Sequence, residues 1–223
     1  MARIGILGGS FNPPHLAHLI CAQQALGELP LDRVVLMPLG IAPHKEAPED
    51  PGTEHRLAMC RLAVADDERL GISDLELERG GPSYTVDTLR YIHAREPADE
   101  LTFIVGGDMA ETLPAWQDPE AILELATMAV AERAEARRER ILEQVGQLAR
   151  APARLRFLAM PRVDISSSLV RERVAAGLPV RYLVTDAVDR YIGEHGLYRC
   201  EEDDSTAAPG EPQAHPRPDA APV

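Results

Sequence analysis

Two histidines follow a short glycine turn near the start of the chain, and their spacing suits them to hold an anion. The turn, Gly8-Gly9-Ser10-Phe11, lies between an apolar strand-like run and a helix-like run that starts near His15. Glycines let a phosphate approach the backbone, and a helix N-terminus presents free N–H groups to it. His15 and His18 stand three residues apart, so a helix would carry both on one face. The segment predicts a phosphate-binding turn with two catalytic histidines.

Two other interpretations of these histidines stay open on the residues alone. They could form an ordinary hydrogen-bonded pair, or they could bind a metal ion together with His44. Two common nucleotide-binding motifs are excluded. Lys45 is the only lysine and no G-x-x-x-x-G precedes it, which excludes a P-loop. The glycines at positions 5, 8 and 9 do not form G-x-G-x-x-G, which argues against hydride chemistry.

A second candidate phosphate site lies late in the chain, in the run Ile165-Ser166-Ser167-Ser168-Leu169-Val170-Arg171. Serine hydroxyls at a helix start cap free N–H groups and can bind phosphate, and Arg171 follows one turn later. Such a run can also be no more than a helix cap. Paired with the glycine turn, and expected at the opposite end of the sheet from it, it supports a nucleotide site.

An acidic side chain follows a third apolar run. Asp108 comes directly after Gly106-Gly107, at the carboxyl end of a predicted strand, where parallel α/β sheets bind their ligands. The alternative is that Asp108 caps the helix that follows.

The two longer motifs resemble those of the nucleotidyltransferase superfamily. The run from Gly8 to His18 is similar to G-G-[ST]-F-[DN]-P-x-H-x-G-H, with Ala17 at the usual glycine, and the run from Ile165 to Arg171 is similar to I-S-S-T-x-[IV]-R. The middle of the chain resembles the bacterial nicotinate-mononucleotide adenylyltransferases. The matching segments are Pro43–Lys45, Gly81–Thr85, Phe103–Asp108, Trp116, Arg133, Tyr182–Val184 and His195–Tyr198, and the likeness covers about residues 1–199.

The resemblance implies an enzyme of NAD biosynthesis that transfers AMP from ATP to nicotinate mononucleotide, with Mg²⁺ brought by ATP. Because phosphates and water can hold most of the Mg²⁺ coordination shell, we expect no dedicated carboxylate cage for the metal and no metal-binding residues. The residues it implies for catalysis are His15, His18, Lys45 and Arg171. Those it implies for ATP and phosphate are Gly8, Gly9, Ser10, Phe11, Gly106, Asp108, Arg133, Ile165, Ser166, Ser167 and Ser168. Those it implies for nicotinate mononucleotide are His44, Tyr84, Thr85, Trp116 and Gln117. Thr85 at a helix start suits a carboxylate, and an indole suits an electron-poor ring.

Apolar strand-like runs alternate with helical patterns along the chain, which is typical of a parallel sheet covered by helices. The predicted strands are Ile4–Leu7, Val34–Met37, Leu101–Val105, Met128–Ala131 and Leu155–Leu158. The predicted helices are His15–Leu26, Glu54–Ala65, Thr85–Arg95, Pro119–Leu125, Ala134–Ala149, Ser167–Ala176 and Asp186–His195. We therefore expect an α/β, Rossmann-like doubly wound sheet with helices on both faces. Arg137, Arg138 and Arg140 are predicted to line a solvated helix face.

The composition bounds the surroundings of this site. The chain has 223 residues and a net charge of −13, which argues against a nucleic-acid partner. The three cysteines share no C-x-x-C spacing and no apolar run would span a membrane, so we expect a reduced, cytoplasmic protein. Residues 1–199 should form one domain, with a helical part at about 165–199, and residues 200–223 a disordered acidic tail. The oligomeric state stays open, a homo-oligomer included.

Three rival functions follow from the same residues. A sibling transferase would use nicotinamide mononucleotide, phosphopantetheine or a polyol phosphate as acceptor. A nucleotide sensor would bind without turnover, although the intact basic residues argue against it. A metalloprotein would use His15, His18 and His44.

Overall fold

A computed structural model describes residues 1–40, 49–132 and 134–199 of the chain. Its centre is a six-stranded, wholly parallel sheet with the strand order β3-β2-β1-β4-β5-β6. The strands are β1 (Arg3–Gly9), β2 (Arg33–Pro38), β3 (Leu70–Ile72), β4 (Glu100–Gly106), β5 (Ala126–Ala131) and β6 (Leu155–Leu158). The order reverses between β1 and β4, and in open α/β sheets ligands bind in the crevice outside that point.

The helices of the described residues cover both faces of this sheet. They are α1 (Leu16–Glu28), α2 (Thr53–Val64), α3 (Leu75–Arg79), α4 (Thr85–Arg95), α5 (Gly107–Glu111), α6 (Pro119–Leu125), α7 (Glu135–Val145), α8 (Ala151–Arg154), α9 (Ser167–Ala175) and α10 (Asp186–Glu194), with a short 3-10 turn at Leu113–Ala115. The doubly wound fold expected from the sequence is confirmed.

Alternate residues of the central strands feed two separate hydrophobic clusters. Phe103 and Val105 of β4 pack with α4, α6 and α7, whereas Ile104 between them packs with α1 and α2. Because both faces of a parallel sheet are buried, its strands are mainly apolar, and all five predicted strands are confirmed. The sequence prediction missed β3, which pairs with β2 through only three residues, Leu70 to Ile72. It also missed the short helices α3, α5 and α8, because four or five residues are too few to show a helical period.

A third hydrophobic cluster joins residues 165–199 to the rest of the fold. Met59 of α2 is buried among Val170, Val184, Val188 and Ile192. The C-terminal helices therefore share a core with α2, which also borders the sheet.

The cysteines that the structure describes are buried. Cys21 and Cys60 are free thiols, and burial raises the pKa of each to about 12. Both stay protonated at neutral pH and are poor nucleophiles. Cys200 lies outside the described residues. No helix within the described ranges is both long and apolar enough to cross a bilayer.

Candidate active site

The glycine turn lies where β1 ends, at the carboxyl edge of the sheet. A Cβ on Gly8 would come within 3.0 Å of the Phe103 ring, and one on Gly9 within 3.2 Å of the Phe11 ring. A side chain at either position would therefore push against an aromatic ring, so close packing favours glycine here in addition to the phosphate approach that the sequence suggested. The side chain of Ser10 is exposed.

Phe11 holds the turn and one of the histidines in place. Its side chain is 1% exposed, and its ring meets that of His18 edge-on, with the centroids 4.8 Å apart. The residue has a φ of +47°, a left-handed conformation that costs about 1 kcal/mol or more in a residue with a side chain. Because the ring is buried, Phe11 can reach a ligand only through its backbone.

His15 and His18 are stacked at the start of α1, with ring centroids 3.7 Å apart. Burial lowers the pKa of His15 to about 4. Burial, and next the charge on His15, also lower the pKa of His18 well below its usual value. Both rings are therefore neutral at pH 7 in the free protein. The His15 backbone N–H donates to Nδ1 of His18 at 3.1 Å, so the ring proton of neutral His18 lies on Nε2.

The start of α1 is less open to an anion than the sequence suggested. The Leu16 N–H donates to the Leu183 carbonyl at 2.8 Å, and the His18 N–H donates to the His15 carbonyl at 2.9 Å. With the His15 N–H bound to His18, three N–H groups of this first turn already have acceptors. Anion binding here depends mainly on the preceding loop and on side chains.

The serine-rich run lies against the loop that follows the glycine turn, so its expected place at the opposite end of the sheet is wrong. Ser166 caps α9 by accepting from the Leu169 N–H at 3.1 Å. The Ser167 hydroxyl donates to the Pro13 carbonyl at 2.8 Å. Ile165 packs partly buried beside the third cluster. The chain returns from β6 to the carboxyl edge of the sheet, where a parallel fold gathers its loops.

Arg171 lies against the loop that follows the glycine turn. Its guanidinium donates to the Asn12 carbonyl at 2.9 Å, to the Glu49 carboxylate at 2.5 Å and to the Ser168 hydroxyl at 3.4 Å. The side chain keeps 19% exposure. It is thus oriented by protein partners at the edge of the site.

The predicted acceptor residues Tyr84 and Thr85 form the beginning of α4. Tyr84 is the N-cap residue and Thr85 the first helical residue, both partly buried. Behind them, the Thr88 hydroxyl donates to the buried Glu76 carboxylate at 2.7 Å. The Ser83 hydroxyl accepts from the Gly40 N–H at 3.1 Å, which ties this corner to the end of β2. The N-terminus of α4, which carries partial positive charge, therefore lies at this corner.

Trp116 packs at the rim of the core and is partly exposed. Its ring meets Phe103 edge-on at 6.3 Å, and its Nε1–H donates to the Thr112 hydroxyl at 2.9 Å. Tyr84 packs against the same hydrophobic cluster, while Gln117 is exposed. The indole is therefore fixed in orientation with part of its surface free for a ligand.

Asp108 and Glu132 lie at the ends of β4 and β5. Asp108 is exposed, and its carboxylate folds back over Gly106, 2.7 Å from where a Cβ would lie there. No side-chain cap bond forms at the start of α5, which does not support the capping alternative. The Glu132 carboxylate is buried against Gly107 and accepts from the Ala134 N–H at 2.7 Å.

Of the three arginines of α7 that the sequence placed on a solvated face, only Arg138 departs from that prediction, since the side chains of Arg137 and Arg140 are 42% and 50% exposed. Arg138 donates to the carbonyls of Glu132 and Leu158, at 2.7 and 3.0 Å, across the ends of β5 and β6. Arg137 pairs with Glu132 at 3.1 Å, and Arg140 donates to Glu111 at 2.7 Å. The alternating charges of this segment predicted a solvated face. The sequence could not show the role of Arg138, because the carbonyls that it contacts lie at the ends of strands and leave no pattern among its neighbours.

Arg56 is a site-supporting residue that sequence reasoning missed. It is 2% exposed and donates to the Ser10 carbonyl, directly behind the phosphate turn. An arginine in the first turn of a helix carries no sequence signal of burial. Three predicted site residues, His44, Lys45 and Arg133, lie outside the described part of the chain.

Comparison with known proteins gives one consistent family. Residues 6–173 match the family described as cytidylyltransferase-like. A protein of Synechococcus sp. (strain JA-3-3Ab) named "Probable nicotinate-nucleotide adenylyltransferase" is 43% identical over 88% of this chain and 94% of its own. A protein of the same name from Shouchella clausii is 40% identical over 89% of this chain and 97% of its own.

Solved structures support the fold. The nicotinic acid mononucleotide adenylyltransferase of Plasmodium falciparum, complexed with NaAD, has a TM-score of 0.72 at 19% identity, covering 89% of this chain and 98% of its own. At that identity the likeness carries the architecture alone.

Proposed function

The chain belongs to the cytidylyltransferase-like family, within its nicotinate-nucleotide adenylyltransferases, and we propose that it transfers AMP from ATP to nicotinate mononucleotide. The products are nicotinate adenine dinucleotide and pyrophosphate. The observation that carries this proposal is the meeting of two distant segments: Ser167 and Arg171 contact the loop between the glycine turn and the two histidines. We infer that the two segments together provide one anion site.

The reaction needs alignment more than covalent help from the protein. A phosphate oxygen of the mononucleotide attacks the α-phosphorus of ATP in line, forming one P–O bond. The bond from the α-phosphorus to the bridging oxygen breaks, and pyrophosphate leaves with that electron pair. The protein contributes by holding both anions and by donating hydrogen bonds as charge shifts to the leaving group.

His18 is suited to donate such a bond. Its Nδ1 is occupied by the His15 N–H, so the neutral ring presents its Nε2–H. Arg171 adds a cation that protein partners already orient. By resemblance, Lys45 and Arg133 would neutralise further phosphate charge.

The acceptor would be held by its pyridine carboxylate and its ring. Thr85 offers a hydroxyl and a backbone N–H at the positive end of an 11-residue helix. Trp116 offers an aromatic surface for the pyridine. Tyr84, Gln117 and, outside the described residues, His44 are the remaining candidates for acceptor contacts.

We propose that Mg²⁺ accompanies ATP. The described residues contain no group of three or more His, Cys, Asp or Glu side chains that could hold a metal ion by themselves. Mg²⁺ is commonly held by substrate phosphates and water, which suits a site of this kind.

A side-by-side assay tests the proposal. Pyrophosphate release by the full chain is measured with Mg²⁺-ATP and either nicotinate or nicotinamide mononucleotide. We expect kcat/KM to favour the nicotinate compound by at least about tenfold, because the carboxylate is the group that α4 recognises. Equal or better use of the amide would refute the acceptor assignment.

A substitution tests the role of His18. With His18→Ala we expect kcat to fall about 10²-fold or more. The control His93→Ala, at an exposed residue in the last turn of α4, should leave kcat unchanged.

A further inference from the structure

A buried arginine contacts both the glycine turn and the start of the segment that leads from β2 to the acceptor residues Tyr84 and Thr85. Arg56 of α2 is 2% exposed and donates four hydrogen bonds to other segments. Nη1 donates to the carbonyls of Ser10 at 2.9 Å and Leu39 at 2.8 Å, Nη2 to the carbonyl of Gly40 at 3.3 Å, and Nε to the Asp50 carboxylate at 3.0 Å. Burying a cation is costly, so a site this fully hydrogen-bonded is a built feature of the fold.

Arg56 sets the direction of two peptide groups. Within a trans peptide unit the C=O and the next residue's N–H point to opposite sides. Holding the Ser10 carbonyl toward Arg56 therefore turns the Phe11 N–H away from it. Holding the Leu39 carbonyl does the same for the Gly40 N–H, which donates to Ser83 beside Tyr84 and Thr85. One guanidinium thus orients both the glycine turn and the acceptor corner, which is the contact of Gly40 with Ser83 beside Tyr84 and Thr85.

A second side chain holds the same loop from the C-terminal end of the fold. The Tyr198 hydroxyl donates to Oδ1 of the buried Asn12 at 2.7 Å. Burial raises the pKa of this phenol, which keeps it a proton donor. The loop is therefore held by Arg56 before Phe11 and by Tyr198 after it.

We propose that Arg56 and Tyr198 are positioning residues for the transfer reaction. They fix the glycine turn relative to the acceptor corner and touch neither substrate. The inference rests on the proposed function for the identity of the substrates. Its physical content is alignment: a misplacement of about 1 Å at a reacting centre can cost about 10²-fold in rate.

The principal test is Arg56→Lys, which keeps the charge but not the planar fork that reaches several acceptors at once. We expect kcat per folded molecule to fall at least about tenfold. The dissociation constants for ATP alone and nicotinate mononucleotide alone should change less than about threefold, since each substrate keeps its own contacts. Arg61→Lys on the same helix is the matched control, because Arg61 is 60% exposed and pairs only with Asp74 among the described residues. A kcat within about threefold of the unsubstituted chain, or a loss confined to substrate binding, would overturn the proposal.

Tyr198→Phe provides the second test and decides the matter if Arg56→Lys does not fold. It keeps the ring and removes only the hydroxyl that Asn12 accepts. We expect kcat to fall at least about threefold with both dissociation constants preserved; an unchanged kcat would contradict the proposal. The rate of the unsubstituted chain with each mononucleotide tests the proposed function. The ratio of variant to unsubstituted rate, taken with whichever acceptor is used, tests the positioning residues separately.

Discussion

His15 and His18 are the residues whose properties depend most on their surroundings. A free histidine titrates near neutrality, whereas these two are stacked on each other beside the buried Phe11 ring and are neutral at pH 7. A neutral pair can accept an anion through its N–H groups without first losing a bound counter-ion. Phosphate charge arriving beside the rings would favour their protonated forms.

The depressed pKa of His15 predicts how stability depends on pH. Below about pH 6.5 the unfolded chain binds a proton at this histidine, while the folded chain, with a pKa of about 4, does not. The stability that the neutral state of His15 contributes is therefore fully present above about pH 6.5 and is lost as the pH falls toward 4. We expect His15→Asn to remove about 2–3 kcal/mol of that fall, measured by urea unfolding at several pH values.

The exposed His93 gives the control for this measurement, since His93→Asn should leave the pH dependence close to that of the unsubstituted chain. If His15→Asn loses stability with falling pH as steeply as the unsubstituted chain, the buried neutral state of His15 is refuted.

At the scale of elements, the site is assembled from the beginnings of helices at one edge of the sheet. Helices α1, α4 and α9 all begin there, and each has its first residues held by a neighbouring segment. The N-termini of helices carry partial positive charge, and together with the preceding loop and the basic side chains they let an acidic chain present a local anion site.

Helix capping can be separated from ligand binding by a matched pair of substitutions. Ser166 caps α9 and Thr185 caps α10, each by accepting from the N–H three residues later, at 3.1 and 3.3 Å. Either alanine variant should lose about 1 kcal/mol of stability. We expect only Ser166→Ala to raise the KM for ATP, because α9 contacts the loop that follows the glycine turn. An equal KM in both variants would mean that Ser166 is only a cap.

At the scale of the whole molecule, the shared core around Met59 predicts cooperative unfolding. Residues 165–199 bury their apolar side chains against α2, so they should not unfold separately from the sheet. We expect one thermal transition in calorimetry, and Met59→Ala should lower the unfolding free energy by about 2–5 kcal/mol within that transition. Met109→Ala, at a side chain that is 49% exposed, should change it by less than about 0.5 kcal/mol. Two separate transitions would show that the C-terminal helices form an independent unit.

The charge distribution agrees with this assembly. The chain carries a net charge of −13, yet Arg56 and Arg171 both donate to backbone carbonyls of residues 10–12, at the glycine turn and just after it. Many other described arginines pair with surface acids, for example Arg3 with Asp32 and Arg69 with Asp67. Net charge therefore says little about the substrate.

The amino-acid sequence was sufficient to predict five of the six described strands and the longer helices in their order along the chain, and to single out two contiguous motifs as candidate phosphate sites. Both are local properties: apolar runs show the period of the element, and Gly8 to His18 or Ile165 to Arg171 are contiguous. Short elements such as β3 and α5 were missed because so few residues show no period.

Contacts between distant segments required the folded chain. The serine run meets the glycine turn because β6 returns the chain to the same edge of the sheet. Arg56 becomes a buried donor because carbonyls of Ser10, Leu39 and Gly40 converge on it. Every residue carries the same backbone carbonyl, so no pattern of side chains could have predicted which arginine these carbonyls would surround.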